Sequence, residues 1–146
     1  MYHRFDRRVF NTAALCIALG GCAMPGPHHF GGGPVPKTAP TPCSNPGNCE
    51  LKVTVTDCKA PGGITVEPDY VSVDRAANMR WTIVTAGYEF TSNGIMFFPP
   101  NPQFEYRHNP RPNEFHMHNR KEQPGEYYYF INVKGCLPAD PWVRNN

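Results

Sequence analysis

From Glu50 onward the chain is written with a period of two. Val53 and Val55 alternate with Thr54 and Thr56, and "NMRWTIV" places Met79, Trp81 and Ile83 on one side. "GYEF" does the same with Tyr88 and Phe90, and "GEYYYFINV" with Tyr127, Tyr129, Ile131 and Val133. In "EFHMHN", Phe115 and Met117 face one way and Glu114, His116 and His118 the other. "ITVEPDYVSVD" alternates around Pro68, which suits a bend or a sheet edge because proline has no N–H to donate. Side chains of a strand point alternately to opposite faces, so each segment predicts a strand with one apolar face. No segment carries the apolar spacing of an amphipathic helix. Short strands at close intervals predict an all-β fold, a single small sandwich of antiparallel or mixed sheets over residues 49–146. A chain of that size supports one core.

The preceding residues follow a different pattern. Residues 22–48 are dominated by proline and glycine, and Phe30 and Val35 are nearly their only bulky apolar side chains. Such a stretch buries too little surface to fold alone. It predicts a disordered tether, stiffened locally by proline, in which His28 and His29 are solvated. Residues 1–21 begin with Arg4, Arg7 and Arg8 and continue into an apolar run from Val9 to Leu19. That run is well short of the roughly 20 residues a membrane-spanning helix needs, and no later stretch comes closer. A positive start, a short apolar run and small residues predict a secretory signal. Leu19-Gly20-Gly21-Cys22 resembles the lipobox of bacterial lipoproteins. The resemblance implies cleavage before Cys22, a diacylglycerol on its sulfur and acylation, as by palmitate, of the new amine. Several acyl chains give lasting attachment where one is marginal. Ala23 in place of Asp after the cysteine implies the outer membrane, with the domain facing the periplasm or the cell surface.

Removing residues 1–21 takes away three arginines and Asp6, which leaves eleven basic and eleven acidic side chains. Binding to phosphate backbones needs a basic surface, and no basic cluster occurs, so nucleic acid is excluded as a partner. Cys16 leaves with the signal and Cys22 takes lipid, which leaves Cys43, Cys49, Cys58 and Cys136. Four cysteines in an exported chain predict two disulfides with three possible pairings. Cys58 with Cys136 is the favoured pair, because each directly follows a strand-like run and the ends of neighbouring strands can meet at bridging distance. Cys43 and Cys49 then close the loop "CSNPGNC". The alternative is a zinc site, against which stands the lack of any CxxC pair.

One stretch departs from alternation. Residues 94–113, "GIMFFPPNPQFEYRHNPRPN", hold five prolines together with Phe97, Phe98, Phe104 and Tyr106. Proline is incompatible with a central strand, and a long structureless loop in a compact domain is either functional or packed down. Two readings stand: the aromatics cap one end of the sandwich, or they form a stiff binding loop that loses little entropy on contact with a partner.

"PDYVSVDRAANMRWTI", "GYEF" and "GEYYYFINV", taken in order, resemble cupredoxin-like domains, with immunoglobulin-like sandwiches sharing much of the pattern. The resemblance spans Leu51 to Val133 and implies the sandwich fold. A blue-copper centre needs two imidazoles and a thiolate in a near-trigonal plane. The positions where the family carries ligands hold Tyr88 and Ile131 here. After Val133 the chain has Gly135, Cys136 and Leu137 and no histidine. The resemblance therefore carries the fold without the copper ligands.

Glu114, His116 and His118 offer a separate metal-site candidate, with His108 nearby in sequence. Next-but-one residues of a strand share a face, and two imidazoles with a carboxylate suit zinc or copper(II). Against this, histidines on a solvated face need no partner. No cofactor is expected otherwise. Catalytic chemistry has little to build on. Ser44, Ser72 and Ser92 lie in no nucleophile elbow, and "GGG" at 31–33 precedes no strand or helix that would make a phosphate loop. The sequence thus predicts a lipid-anchored, extracytoplasmic β domain that binds rather than catalyses. Its expected partner is an envelope or secreted protein or a glycan. Metal handling and neutralisation of a toxin or enzyme are the alternatives.

Overall fold

The computed structural model describes residues 39–146 apart from 44 and 46. The signal, Cys22 and most of the tether lie outside the described residues. Ten strands follow in order: β1 (Thr41–Pro42), β2 (Asn48–Val55), β3 (Ile64–Glu67), β4 (Tyr70–Val73) and β5 (Ala77–Ile83), then β6 (Phe90–Phe98), β7 (Phe104–Arg107), β8 (Glu114–Asn119), β9 (Gly125–Val133) and β10 (Trp142–Asn145). They form two five-stranded sheets, β1-β4-β10-β9-β6 and β3-β2-β5-β8-β7, and the expected sandwich is therefore present. Both sheets are mixed, since β4 pairs in parallel with β1 and β10 and β2 pairs in parallel with β5. No helix among the described residues is long and apolar enough to cross a membrane.

The alternation read from the sequence becomes the core. Leu51, Val53 and Val55 of β2, Met79, Trp81 and Ile83 of β5, and Tyr129, Ile131 and Val133 of β9 are all buried between the sheets. Trp81 and Tyr129 are wholly enclosed and meet edge-on across the two layers, ring centroids 5.4 Å apart. The indole N–H of Trp81 donates to the Tyr129 hydroxyl at 3.0 Å, which satisfies a polar group that burial would otherwise penalise. Pro68 marks the point where the chain leaves one sheet for the other, since β3 and β4 belong to different sheets.

The fold begins earlier than composition suggests. Thr41 and Pro42 pair with Val71 and Ser72, and the Cys43 amide donates to the Ser72 carbonyl at 3.2 Å. Backbone pairing of this kind asks nothing of the side chains, so a proline-rich segment can join a sheet edge. The cysteines pair as Cys43–Cys49 and Cys58–Cys136. The second bridge ties the loop after β2 in one sheet to the loop after β9 in the other.

Residues 94–113 require a correction. They are not one long loop. Ile95–Phe98 complete β6, and Phe104–Arg107 form β7. Both strands lie at sheet edges, where proline is tolerated, and Pro99, Pro100 and Pro102 sit in the turn between them.

A second feature was not anticipated. At one end of the sandwich three amide side chains, Gln103, Asn119 and Asn145, are almost fully buried. Asn119 Nδ2 donates to Asn145 Oδ1 at 2.8 Å, and Asn145 Nδ2 donates to Gln103 Oε1 at 2.9 Å. The cluster bonds β10 of one sheet to β8 and the turn before β7 of the other.

Candidate functional site

In a sandwich each sheet has one face on the core and one on water, and the outer face is ordinarily polar. The β3-β2-β5-β8-β7 sheet obeys this. One register row across its outer face reads Glu50, Arg80, His116, Arg107, and the next reads Asn48, Asn78, His118, Glu105. The other sheet does not. Its register places Phe98 opposite Tyr128, Tyr128 opposite Trp142, and Trp142 opposite Tyr70. A row of aromatic rings therefore crosses four strands on the outer face. Ring centroids are 5.5 Å apart from Phe98 to Tyr128 and 5.6 Å from Tyr128 to Trp142. The adjacent row adds Met96 opposite Phe130. Phe98 is 54% exposed and Met96 44% exposed.

The row ends differently on its two sides. At β4, Tyr70 is buried and its hydroxyl donates to Glu126 at 2.6 Å. Burial, reinforced by the hydrogen bond and the negative charge of Glu126, pushes the Tyr70 phenol up to about 12, with Arg144 acting in the opposite sense. Trp142 there lines a cleft of about 780 Å³ between Ile64–Asp69 and Pro138–Pro141. At β6 the row meets a groove of about 550 Å³. Met96, Phe98, Phe130, Pro100 and Pro102 line it together with Asn101, and Phe104 and Met117 are its more buried lining.

This geometry divides the four aromatics of the proline-rich stretch. Phe97 and Phe104 are buried and stack face to face with centroids 3.6 Å apart, so they pack down beneath the groove they line and do not stand out on a free loop. Phe98 and Tyr106 are more than half exposed. Tyr106 lies against Phe115 on the edge strand of the other sheet, away from the aromatic row. Tyr70, Met96, Tyr128, Phe130 and Trp142 were not singled out in the sequence. The signal was nevertheless there: Tyr128 and Phe130 occupy the outward positions of a strand whose inward positions are already apolar.

The metal-site candidates are brought only partly together. Glu114, His116 and His118 do alternate along the outer side of β8, and Glu114 Oε2 lies 3.4 Å from His116 Nε2. His118 instead pairs through Nδ1 with Asn78 Oδ1 at 3.0 Å. Among the described residues no three His, Cys, Asp or Glu side chains gather closely enough to hold a metal ion. Of the residues that the cupredoxin resemblance would put in the ligand places, Ile131 is core and Tyr88 half-buried, and the nearby Cys136 sulfur is bonded to Cys58. Ser72 is buried in β4, Ser92 is exposed in β6, and Ser44 lies outside the described residues. Compared with known protein families and with characterised proteins, the chain matches none.

Proposed function

We propose that this is a lipid-anchored, extracytoplasmic binding protein that presents the outer face of the β1-β4-β10-β9-β6 sheet to another envelope or secreted protein. The single observation that carries the reading is the aromatic surface of Phe98, Tyr128, Phe130 and Trp142 with Met96, on a face that water alone would leave polar. Met96 and Phe98 are exposed with Tyr128, Phe130 and Trp142 half-buried beside them, and an apolar surface of this kind on an outer face marks an interaction site. Aromatic side chains and methionine are the residues enriched in the centre of protein interfaces. A glycan would need hydrogen-bonding side chains beside the rings. Glu126 and Arg144 supply these beside Tyr128 and Trp142, but the groove at Met96, Phe98 and Phe130 is lined also by Pro100 and Pro102 with Asn101 its one polar side chain, which favours a polypeptide there. The export signal, the lipobox-like Leu19-Gly20-Gly21-Cys22 and the two disulfides support the location.

The test is a Phe98→Ser/Phe130→Ser variant. Both side chains are on the outer face, so the melting temperature should stay within a few degrees of the parent's. On native gels of detergent-solubilised envelopes the parent should migrate in a larger complex and the variant alone. Identical migration would reject the surface.

A further inference from the structure

We infer that β6 is an acceptor edge, and that the partner contributes an uncharged, extended strand which adds to β6 and fills the groove beside it. The inference rests on the binding reading above and specifies the chemistry of the partner.

The four sheet edges among the described residues are β1, β3, β6 and β7. Three are guarded in the usual ways, by shortness, charge or proline. β1 has two residues, one of them Pro42. β3 has four, the last of them Glu67, and Pro68 follows it. β7 has four, two of which are Glu105 and Arg107. β6 runs for nine residues, "FTSNGIMFF", with no charged side chain. A register shift interrupts its pairing between Phe90 and Ile95, so four residues, Ile95–Phe98, pair regularly before Pro99 and Pro100, and what sets this edge apart from β3 and β7 is its lack of charge.

The hydrogen-bonding direction of that half follows from its neighbour. The amides of Tyr129 and Ile131 donate to Pro141 and Ala139, on the β10 side of β9. Successive residues of a strand aim their N–H and C=O groups to opposite sides, so Tyr128 and Phe130 bond toward β6. Their partners Phe98 and Met96 are thereby satisfied. Ile95 and Phe97 aim their N–H and C=O groups outward, and no described strand lies there. Two donors and two acceptors thus stand in register along the apolar groove. An added strand would bond to them, send alternate side chains toward Phe104 and Met117, and lay the others beside Met96 and Phe98.

Charge selects the occupant. None of the residues lining the groove is ionisable, so a charged strand would be desolvated without compensation. A second copy offering its own β6 is a poorer fit, because its Ile95 and Phe97 are already committed to its own core. A strand from a partner's extended segment brings free side chains.

The experiment uses the full chain in detergent micelles. The probe is an end-capped hexapeptide alternating valine and threonine, and the control is the same peptide N-methylated at every residue. Amide exchange is followed by NMR. The unmethylated peptide should slow exchange at Ile95 and Phe97 at least tenfold, the methylated one should not, and Met96→Lys should weaken the effect about tenfold. Protection absent, located elsewhere, or equal with both peptides overturns strand addition. Protection of these two amides without peptide also overturns it, assigning the edge to a second copy if the chain sediments as a dimer and to its own N-terminal residues if it is monomeric. In the Phe98→Ser/Phe130→Ser variant, which cuts back the lining of the groove, protection of the two amides should weaken as it does in Met96→Lys, so the two readings are compared through protection in the parent and the complex in the variant. Loss of the native complex without protection by peptide therefore rejects strand addition alone, and protection with the complex unchanged rejects the face alone.

Discussion

Tyr70 shows how one side chain connects the aromatic face to stability. Its phenol is held protonated by burial first and by Glu126 second, up to about 12 against about 10 in an unfolded chain. Between those values the folded state keeps a proton that the unfolded state has lost, so stability is intact below about pH 10 and falls as pH rises toward 12. Burial raises the phenol of Tyr129 in the same sense. The urea midpoint should therefore drop between pH 10 and pH 12, and Tyr70→Phe should show a shallower drop. Equal slopes would mean that the Tyr70 hydroxyl is solvated in the folded protein. Tyr70 was legible in the sequence only as an alternating residue after Pro68. Its partner Glu126 is 56 residues away, and strand register, which period two does not fix, brings them together.

The strands themselves were the most legible level. Inward positions such as Val53, Trp81 and Ile131 must be apolar wherever a sheet covers a core, so their spacing declares the strand. Two things at this level escaped. The stretch from Gly94 to Asn113 read as a loop because its prolines forbid central pairing, and the same residues are permitted at an edge, a distinction the sequence does not carry. The amide cluster escaped because Gln103, Asn119 and Asn145 are polar and read as surface. They tolerate burial because they bond one another across the sheets, with Gln103 Nε2 alone among their amide nitrogens left unpartnered. Removing the central member tests this. Asn145→Ala leaves Asn119 Nδ2 without its partner and Gln103 Oε1 with only the Gln123 amide, and should cost about 1–3 kcal/mol, as one buried donor loses its bond. Chemical denaturation measures it. A change below about 0.5 kcal/mol would place the cluster in contact with water. Asn145→Asp, which keeps the shape but adds a buried charge, should be at least as damaging.

At the scale of the molecule, a mature anchored chain would hold one sandwich at the end of a proline-rich stretch. Export, lipid and bridges make a joint prediction for intact mass. Protein extracted from membranes should start at Cys22, carry several acyl chains, and gain four hydrogens on reduction, two for each disulfide. A mass that begins at Met1, or carries no lipid, would remove the anchor from the account. The Cys58–Cys136 bridge should matter more than Cys43–Cys49, since it closes a separation of 78 residues against 6. On loop entropy that is about 4.5 against about 2 kcal/mol. The candidate site was partly legible. Of the proposed set Phe98 and Tyr106 are exposed while Phe97 and Phe104 are buried, a division that was not legible because sequence does not tell the two faces of an edge strand apart.

The central claim is that one face of the sandwich meets another protein in the envelope. The most direct measurement is photo-crosslinking in living cells, with a photoreactive residue placed at Phe98 on the aromatic face or at Lys52 on the outer face of the opposite sheet. A discrete heavier adduct from position 98 and none from position 52 is the predicted result. No adduct from 98, or the same adducts from both positions, would contradict it.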